Sequence, residues 1–319
     1  MSAAAGIDVA QIDRREFVLR SVQAAVWFGA TKAGVVRRAP ATSRLAVIVA
    51  GSASESPRLA ARSMGVAMGI EEADHSARLF GGGVRIERAV SREDLGRLLA
   101  QAQRSTNELV GVIGGESTTE CSALAETSGN FEAIYVNTLC SADELRGRSC
   151  RSAMFHVAPS DAMIADARAQ ASRDAPAGEM DVQAWDASLQ AFGADTLNQR
   201  FRARFDTAMT SDAWAGWFAV KTLSEAILRA KPKSASALIE YLESDRATAD
   251  GHKGRPLSFR AWDHQLRQPL YVVSSAEKRV VEVPLTKGGA TQESRAILDE
   301  LGAGAERSAC HFTPVNGRQ

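Results

Sequence analysis

Cysteines, histidines and glycine-rich turns are the residues of this chain whose types and spacing could do chemistry. The four cysteines, Cys121, Cys140, Cys150 and Cys310, include no Cys-x-x-Cys pair, and zinc fingers and ribbons need close pairs of that kind. Their even number fits two disulfides in an oxidising compartment, and equally fits four separate buried thiols. The five histidines, His75, His156, His252, His264 and His311, stand at no metal-ligand spacing with another histidine, cysteine or acid. A metal site is therefore not expected. The sequence has neither a Gly-x-Ser-x-Gly elbow nor a Walker loop. No nucleophile–base or acid pair emerges, so the expectation is a protein without catalysis and without a cofactor.

One turn invites a ligand. Gly111-Val112-Ile113-Gly114-Gly115 leads from an apolar run towards a helical one, but it lacks the Gly-x-Gly-x-x-Gly order of a dinucleotide site. Gly114-Gly115-Glu116-Ser117-Thr118-Thr119 instead offers backbone N–H groups and hydroxyls at a helix start, which can hold a carboxylate without a cationic side chain. The competing reading is a plain capping turn in which Ser117 serves only the helix. Glu116 places a negative charge where an anion would sit, which weighs against simple carboxylate capture.

The elements that position this turn can be read from the pattern. The 319 residues carry 38 Lys+Arg against 38 Asp+Glu, with 45% hydrophobic residues. That balance excludes disorder and argues against nucleic acid as the main partner. No apolar run is long enough for a polytopic membrane protein. Near the N-terminus, Arg14 and Arg15 precede Phe17-Val18-Leu19 and a weakly apolar stretch from Val22 to Ala30. This is the order of a twin-arginine export signal, and a disordered or amphipathic extension is the alternative.

Leu45–Ala50 reads as a buried strand, and Ser56-Pro57 opens a helix that runs to about Phe80 before Gly81-Gly82-Gly83. Val84, Ile86 and Val90 mark a strand, and Ser91 with Asp94 a capping box for a helix to about Gln103. Further strands fall at Leu109–Ile113, Ala133–Asn137 and Met154–Val157, with helices from about Ser117 to Ser128 and from Ser160-Asp161 to about Ser172. Such alternation predicts an α/β fold: a Rossmann-like parallel sheet sandwiched by helices, with ligand sites at the carboxyl ends of its strands.

Past a polar joint at Asp174–Glu179, helices are expected over about Leu197–Thr207, Asp212–Ala230 and Ser234–Glu243. The stripe of Trp214, Trp217, Phe218, Leu223 and Ile227 on the middle one reads as core. Leu257–Arg260, Gln268–Ser274 and Val280–Leu285 read as strands of one antiparallel meander.

This order of motifs resembles the type I periplasmic binding proteins, the branched-chain amino acid and amide receptors. The resemblance rests on GVIGGESTTECSALAETSG with the strand FEAIYVNT, on SDAWAGWFAVKTLSEAI with ALIEYL, and on KGRPLSFRAWDHQLRQPLYVV. DELRGRSCRSAMFHVAPSDAMIADA, GRPLSFRAWDHQLRQPL and ERSACHF are similar to a subgroup within that family. These are ABC-transporter substrate-binding proteins associated with pyrroloquinoline-quinone-dependent alcohol dehydrogenases. The likeness implies a ligand site at Gly115, Ser117, Thr118 and Thr119 together with the loop Asn137-Thr138. It also implies a Cys150–Cys310 disulfide, which leaves Cys121 and Cys140 to pair with each other.

The departure from the family is a length of chain. Where members enter a second lobe on the order of 100 residues long, Ser172-Arg173-Asp174 here runs through a short joint to Trp185 and the return helices. The expected organisation is an export signal over residues 1–42 and a single lobe over 43–290, built from segments 43–173 and 185–290. A C-terminal tail follows over 291–319. The function implied is a periplasmic solute-binding protein of an ABC transporter, linked to quinoprotein alcohol oxidation. Its ligand would be a small organic solute (an acid, an alcohol-derived compound or an amino-acid-like one), and its partners an ABC permease or a periplasmic dehydrogenase. The alternative is a single-lobe periplasmic accessory protein that no longer binds a small ligand.

Overall fold

A computed structural model of the chain describes residues 44–51, 56–105, 108–172, 180–274, 279–285 and 295–312. The twin-arginine segment and the joint at 174–179 lie outside the described residues. Five strands form a parallel sheet: β1 (Arg44–Ala50), β2 (Val84–Ala89), β3 (Glu108–Gly114), β4 (Ile134–Asn137) and β5 (Met154–His156). Their order is β2-β1-β3-β4-β5. β1 is buried from Leu45 to Ala50 because helices cover both faces, which is why it reads as a continuous apolar run rather than an alternating one.

Local chemistry starts each helix. Helix α1 (Pro57–Leu79) takes Ser56 as its cap, whose side chain accepts from the Leu59 amide, with proline at the first turn where no N–H is missed. In α2 (Arg92–Ala102) the Ser91 hydroxyl accepts from the Asp94 amide, while the Asp94 carboxylate accepts from Val90. The reciprocal bond of the expected capping box is therefore displaced by one residue. Ser117 and Ser160 cap α3 (Thr118–Asn130) and α4 (Asp161–Ala171) in the same way.

The return segment supplies α5 (Ala194–Phe205), α6 (Ser211–Ala230) and α7 (Ala235–Glu243). The aromatic stripe of α6 is core: Trp214, Trp217, Phe218, Leu223 and Ile227 are all buried. Residues of this size each stabilise by about 1.5–3 kcal/mol on full burial. Glycines bring α6 onto α1. A Cβ on Gly65 would stand 1.8 Å from the Ala213 carbonyl oxygen, and one on Gly216 would stand 2.4 Å from the Arg62 carbonyl oxygen. Neither backbone can yield, so only glycine allows this crossing.

The remaining strands depart from a single meander. β6 (Met180–Gln183), absent from the sequence reading, pairs antiparallel with β10 (Tyr271–Ser274), which pairs in turn with β11 (Arg279–Glu282). A separate sheet holds β7 (Ala249–Asp250), β8 (Pro256–Phe259) and β9 (Leu266–Arg267). The cause is a non-local partner, because β6 satisfies the free edge of β10 from far away in sequence. Among the described residues the parallel sheet is the five-stranded one, and the other strands are short and antiparallel.

The C-terminal residues are tied back to the sheet. Cys310 forms a disulfide with Cys150, 160 residues away. The buried Arg260 guanidinium donates to the carbonyls of Leu298 and Leu301 and pairs with Asp299 at 2.9 Å. No described helix is long and apolar enough to cross a membrane.

Candidate solute-binding cleft

The carboxyl ends of β4 and β5, the segment leaving β6 and the start of α6 enclose a cleft of about 610 Å³. Open α/β sheets place ligands at this end of their strands, and the volume lies in the range of small-molecule sites. Thr138, Leu139 and Ser141 form one wall, and Asp181 to Ala187 another. Trp185 stacks on Trp214 with ring centres 5.9 Å apart, and its indole N–H donates to Asn198 at 2.9 Å.

The cleft carries both signs of charge. Arg58, at the start of α1, pairs with Asp212 at 3.1 Å and donates to the Leu139 carbonyl at 2.9 Å. Asp181 and Asp186 line the same space. One oxygen of Asp186 accepts from the amide and hydroxyl of Ser188, and one oxygen of Asp181 accepts from Gln183. Thr138 is the most telling wall residue. It is 2% exposed, and its Oγ1 is buried without a hydrogen-bond partner in the protein. A buried hydroxyl left unsatisfied costs about 1–3 kcal/mol.

Asn137 holds that wall in place. Its Oδ1 accepts from the amides of Leu139 and Cys140, and its Nδ2 donates to the Cys140 carbonyl at 2.7 Å and to His156 Nδ1 at 3.0 Å. Every donor of the amide group is thereby used within the protein. Asn137 is fully buried and absent from the cleft surface, so its observed role is to position the loop that bears Thr138.

The turn at the end of β3 has the geometry of the capping turn that was the competing reading. The amides of Glu116 and Ser117 both donate to Glu120 Oε2, at 3.0 and 3.1 Å, and the Ser117 hydroxyl accepts from the Glu120 amide. A carboxylate of the chain itself occupies the donors that were expected to be free. Those two backbone bonds hold the Glu120 carboxyl below the usual glutamate range. Glu116, for its part, accepts from the Ser56 hydroxyl.

The six ligand candidates do not converge on one surface. Thr138 lines the cleft, whereas Gly115 lines a smaller hollow of about 320 Å³ near the starts of α2 and α3. Thr118 Oγ1 lies 3.7 Å from Cys140 Sγ, and Thr119 is exposed. Arg58, Ser141, Asp181, Trp185 and Asp186 were missed by sequence reasoning. They come from three separate segments, so no local spacing announces them.

The expected Cys121–Cys140 disulfide is also corrected: both carry free, buried thiols. Both belong to a satellite core under α3, with Cys121 Sγ 3.9 Å from Asn137 Oδ1 and Cys140 Sγ 3.7 Å from Thr118 Oγ1.

With this geometry established, comparisons place the fold. No family model matches the sequence, and no curated protein does. Solved structures do match. A periplasmic binding protein from Burkholderia mallei aligns with TM-score 0.65 at 10% identity, over 84% of this chain and 98% of its own. An amino acid ABC transporter substrate-binding protein from Pseudomonas fluorescens Pf-5 gives 0.62 at 11%, over 85% and 100%. The leucine-, isoleucine-, valine-, threonine- and alanine-binding protein of Brucella ovis, in a closed conformation, gives 0.61 at 10%, over 85% and 99%. The chain thus has the fold of the periplasmic binding proteins of type I, an α/β architecture with additional antiparallel strands.

Proposed function

We propose that this chain is a periplasmic solute-binding protein that hands a small organic solute to an ABC permease and does no chemistry on it. The observation that carries this reading is the solute-sized cleft of about 610 Å³ at the carboxyl ends of β4 and β5, with Arg58, Thr138, Asp181 and Asp186 on its walls. The fold supports it, as do the names of the neighbours, which include amino acid and branched-chain amino acid binders.

An amino-acid-like solute suits the cleft best. Asp181 and Asp186 present carboxylates to an ammonium group, and a solute carboxylate would share the Arg58 guanidinium with Asp212, which lines the same space. This moves the site away from the Ser117 turn, whose donors Glu120 holds. The twin-arginine-like N-terminus supports export to the periplasm. The resemblance to proteins of quinoprotein alcohol oxidation supports work beside a dehydrogenase of that kind. A single lobe, without a second sheet closing over the solute, remains part of the proposal and predicts modest affinity.

Calorimetry on the purified chain tests the reading, using a panel of amino acids, short-chain alcohols, aldehydes and acids. Saturable heat at micromolar solute, with affinity about tenfold weaker in Thr138→Val, supports it. Silence across the whole panel overturns it and favours the accessory protein without a small ligand.

A further inference from the structure

Cys121 and Cys140 are far apart in the chain's elements but adjacent in space. Cys121 sits in the first turns of α3 and Cys140 in the loop after β4. Asn137 Oδ1 joins them, accepting from the Cys140 amide at 2.9 Å and standing 3.9 Å from Cys121 Sγ. Thr118, one turn before Cys121 on α3, places its Oγ1 3.7 Å from Cys140 Sγ. The Cys140 main chain is pinned on its other side as well, because Arg146 Nη1 donates to its carbonyl at 3.0 Å. Gly115 leaves the space that Cys121 fills: a Cβ there would stand 2.7 Å from Cys121 Sγ, and Gly115 has φ +73°.

From this arrangement we propose that Cys121 and Cys140 form a redox-active dithiol site that a hydroperoxide oxidises to a disulfide, with Cys140 as the attacking sulfur and Cys121 as the resolving one. The geometry assigns the roles. Cys121 is fully buried between Cys140 and Tyr135, whereas Cys140 retains 4% exposure and lies beside the Thr118 hydroxyl and the Arg146 cation. The neighbouring Cys121 thiol, then the Ala142 amide, the Thr118 hydroxyl and the Arg146 cation, draw the Cys140 thiol down to about 6 against the cost of burial. The Cys140 sulfur beside it and burial push Cys121 up, so it keeps its proton.

The reaction balances in two steps. The Cys140 thiolate attacks one oxygen of hydrogen peroxide, breaking the O–O bond, to give a Cys140 sulfenic acid and hydroxide. Cys121 sulfur then displaces hydroxyl from that sulfenic acid, forming the S–S bond, and its own proton leaves with the departing oxygen as water. Two thiols lose two electrons and peroxide gains them. Thr138, Leu139 and Ser141 flank Cys140 and line the cleft, so the new bond ties that wall to α3.

Because Cys150 and Cys310 are already joined, the two free thiols are Cys121 and Cys140, and the test needs no solute. The full chain is treated under native conditions with a graded series of hydrogen peroxide. Thiols are counted before and after, and the products are mapped by mass spectrometry. The expected result is loss of both thiols, a cross-linked peptide pair containing Cys121 and Cys140, and recovery with dithiothreitol. In Cys121→Ser, dimedone should label Cys140; in Cys140→Ser, Cys121 should stay unmodified. Cys121→Ala and Cys140→Ala serve in place of any serine variant that fails to unfold cooperatively. Native thiols that survive peroxide but react once denatured overturn the proposal, as does dimedone on Cys121 in preference to Cys140. Either result leaves the solute-binding reading untouched, since that reading is judged by calorimetry alone.

Discussion

Asn137 Nδ2 donates to His156 Nδ1 across 3.0 Å, a side-chain link from the end of β4 to the end of β5 beneath the cleft wall. Two backbone amides on Oδ1 fix which way the Asn137 amide points. Nδ2 must therefore face the imidazole as a donor, and Nδ1 must accept, which puts the histidine proton on Nε2. Burial, reinforced by the Arg146 charge, holds His156 well below the ordinary histidine range and keeps it neutral.

Asn137→Ala strands the Leu139 and Cys140 amides and His156 Nδ1 in a buried site, while the Cys140 carbonyl keeps Arg146 as its donor. A loss of about 2–4 kcal/mol is expected, read as a lower urea midpoint. A loss under about 0.5 kcal/mol would mean that the loop does not depend on this amide.

Thr138→Val should separate stability from binding. It removes a hydroxyl that has no partner in the solute-free protein, so the free chain should be unchanged or slightly more stable. Solute affinity should fall about tenfold, the equivalent of about 1.4 kcal/mol. Equal affinity by calorimetry would remove Thr138 from the site.

Gly115→Ala meets both a left-handed backbone and the Cys121 side chain. It should cost about 2 kcal/mol. Cys121→Ala removes the sulfur from the clash but leaves the backbone strain. The double variant should therefore be more stable than the sum of the two single losses predicts, by about 1 kcal/mol in a thermal or urea cycle.

Glu120→Ala removes the one carboxylate oxygen that accepts from both turn amides and should cost about 1 kcal/mol at neutral pH, a modest figure because the carboxylate is exposed to water. The folded carboxyl titrates below its unfolded value, so its contribution is complete above the unfolded range and is lost as pH falls through the folded one. The gap between wild type and variant should then close in acid, on comparing urea midpoints across pH. A gap that stays constant to low pH would rule out the carboxylate as the source.

Much of the fold was legible because its causes are local. Buried parallel strands are continuous apolar runs, as in Leu45–Ala50, and most helix starts are a hydroxyl that meets an amide three residues on, as at Ser56, Ser91, Ser117, Ser160, Thr210 and Ser234. The α6 stripe announced a core helix for the same reason, through period alone. The reading failed where the partner is remote. β6 has four residues and no pattern of its own, and it exists because β10 offers it an edge.

By itself, then, the sequence determined the alternating α/β order, the caps and the apolar faces, since propensity, capping and periodicity act over a few residues. Only the tertiary structure decided the cleft, because Arg58, Thr138, Trp185 and Asp212 reach it from separate segments. It likewise decided that Glu120 occupies the donors of the Ser117 turn, and that Cys121 and Cys140 meet as thiols. Those outcomes depend on which groups packing brings within hydrogen-bond distance, and no spacing along the chain encodes that distance.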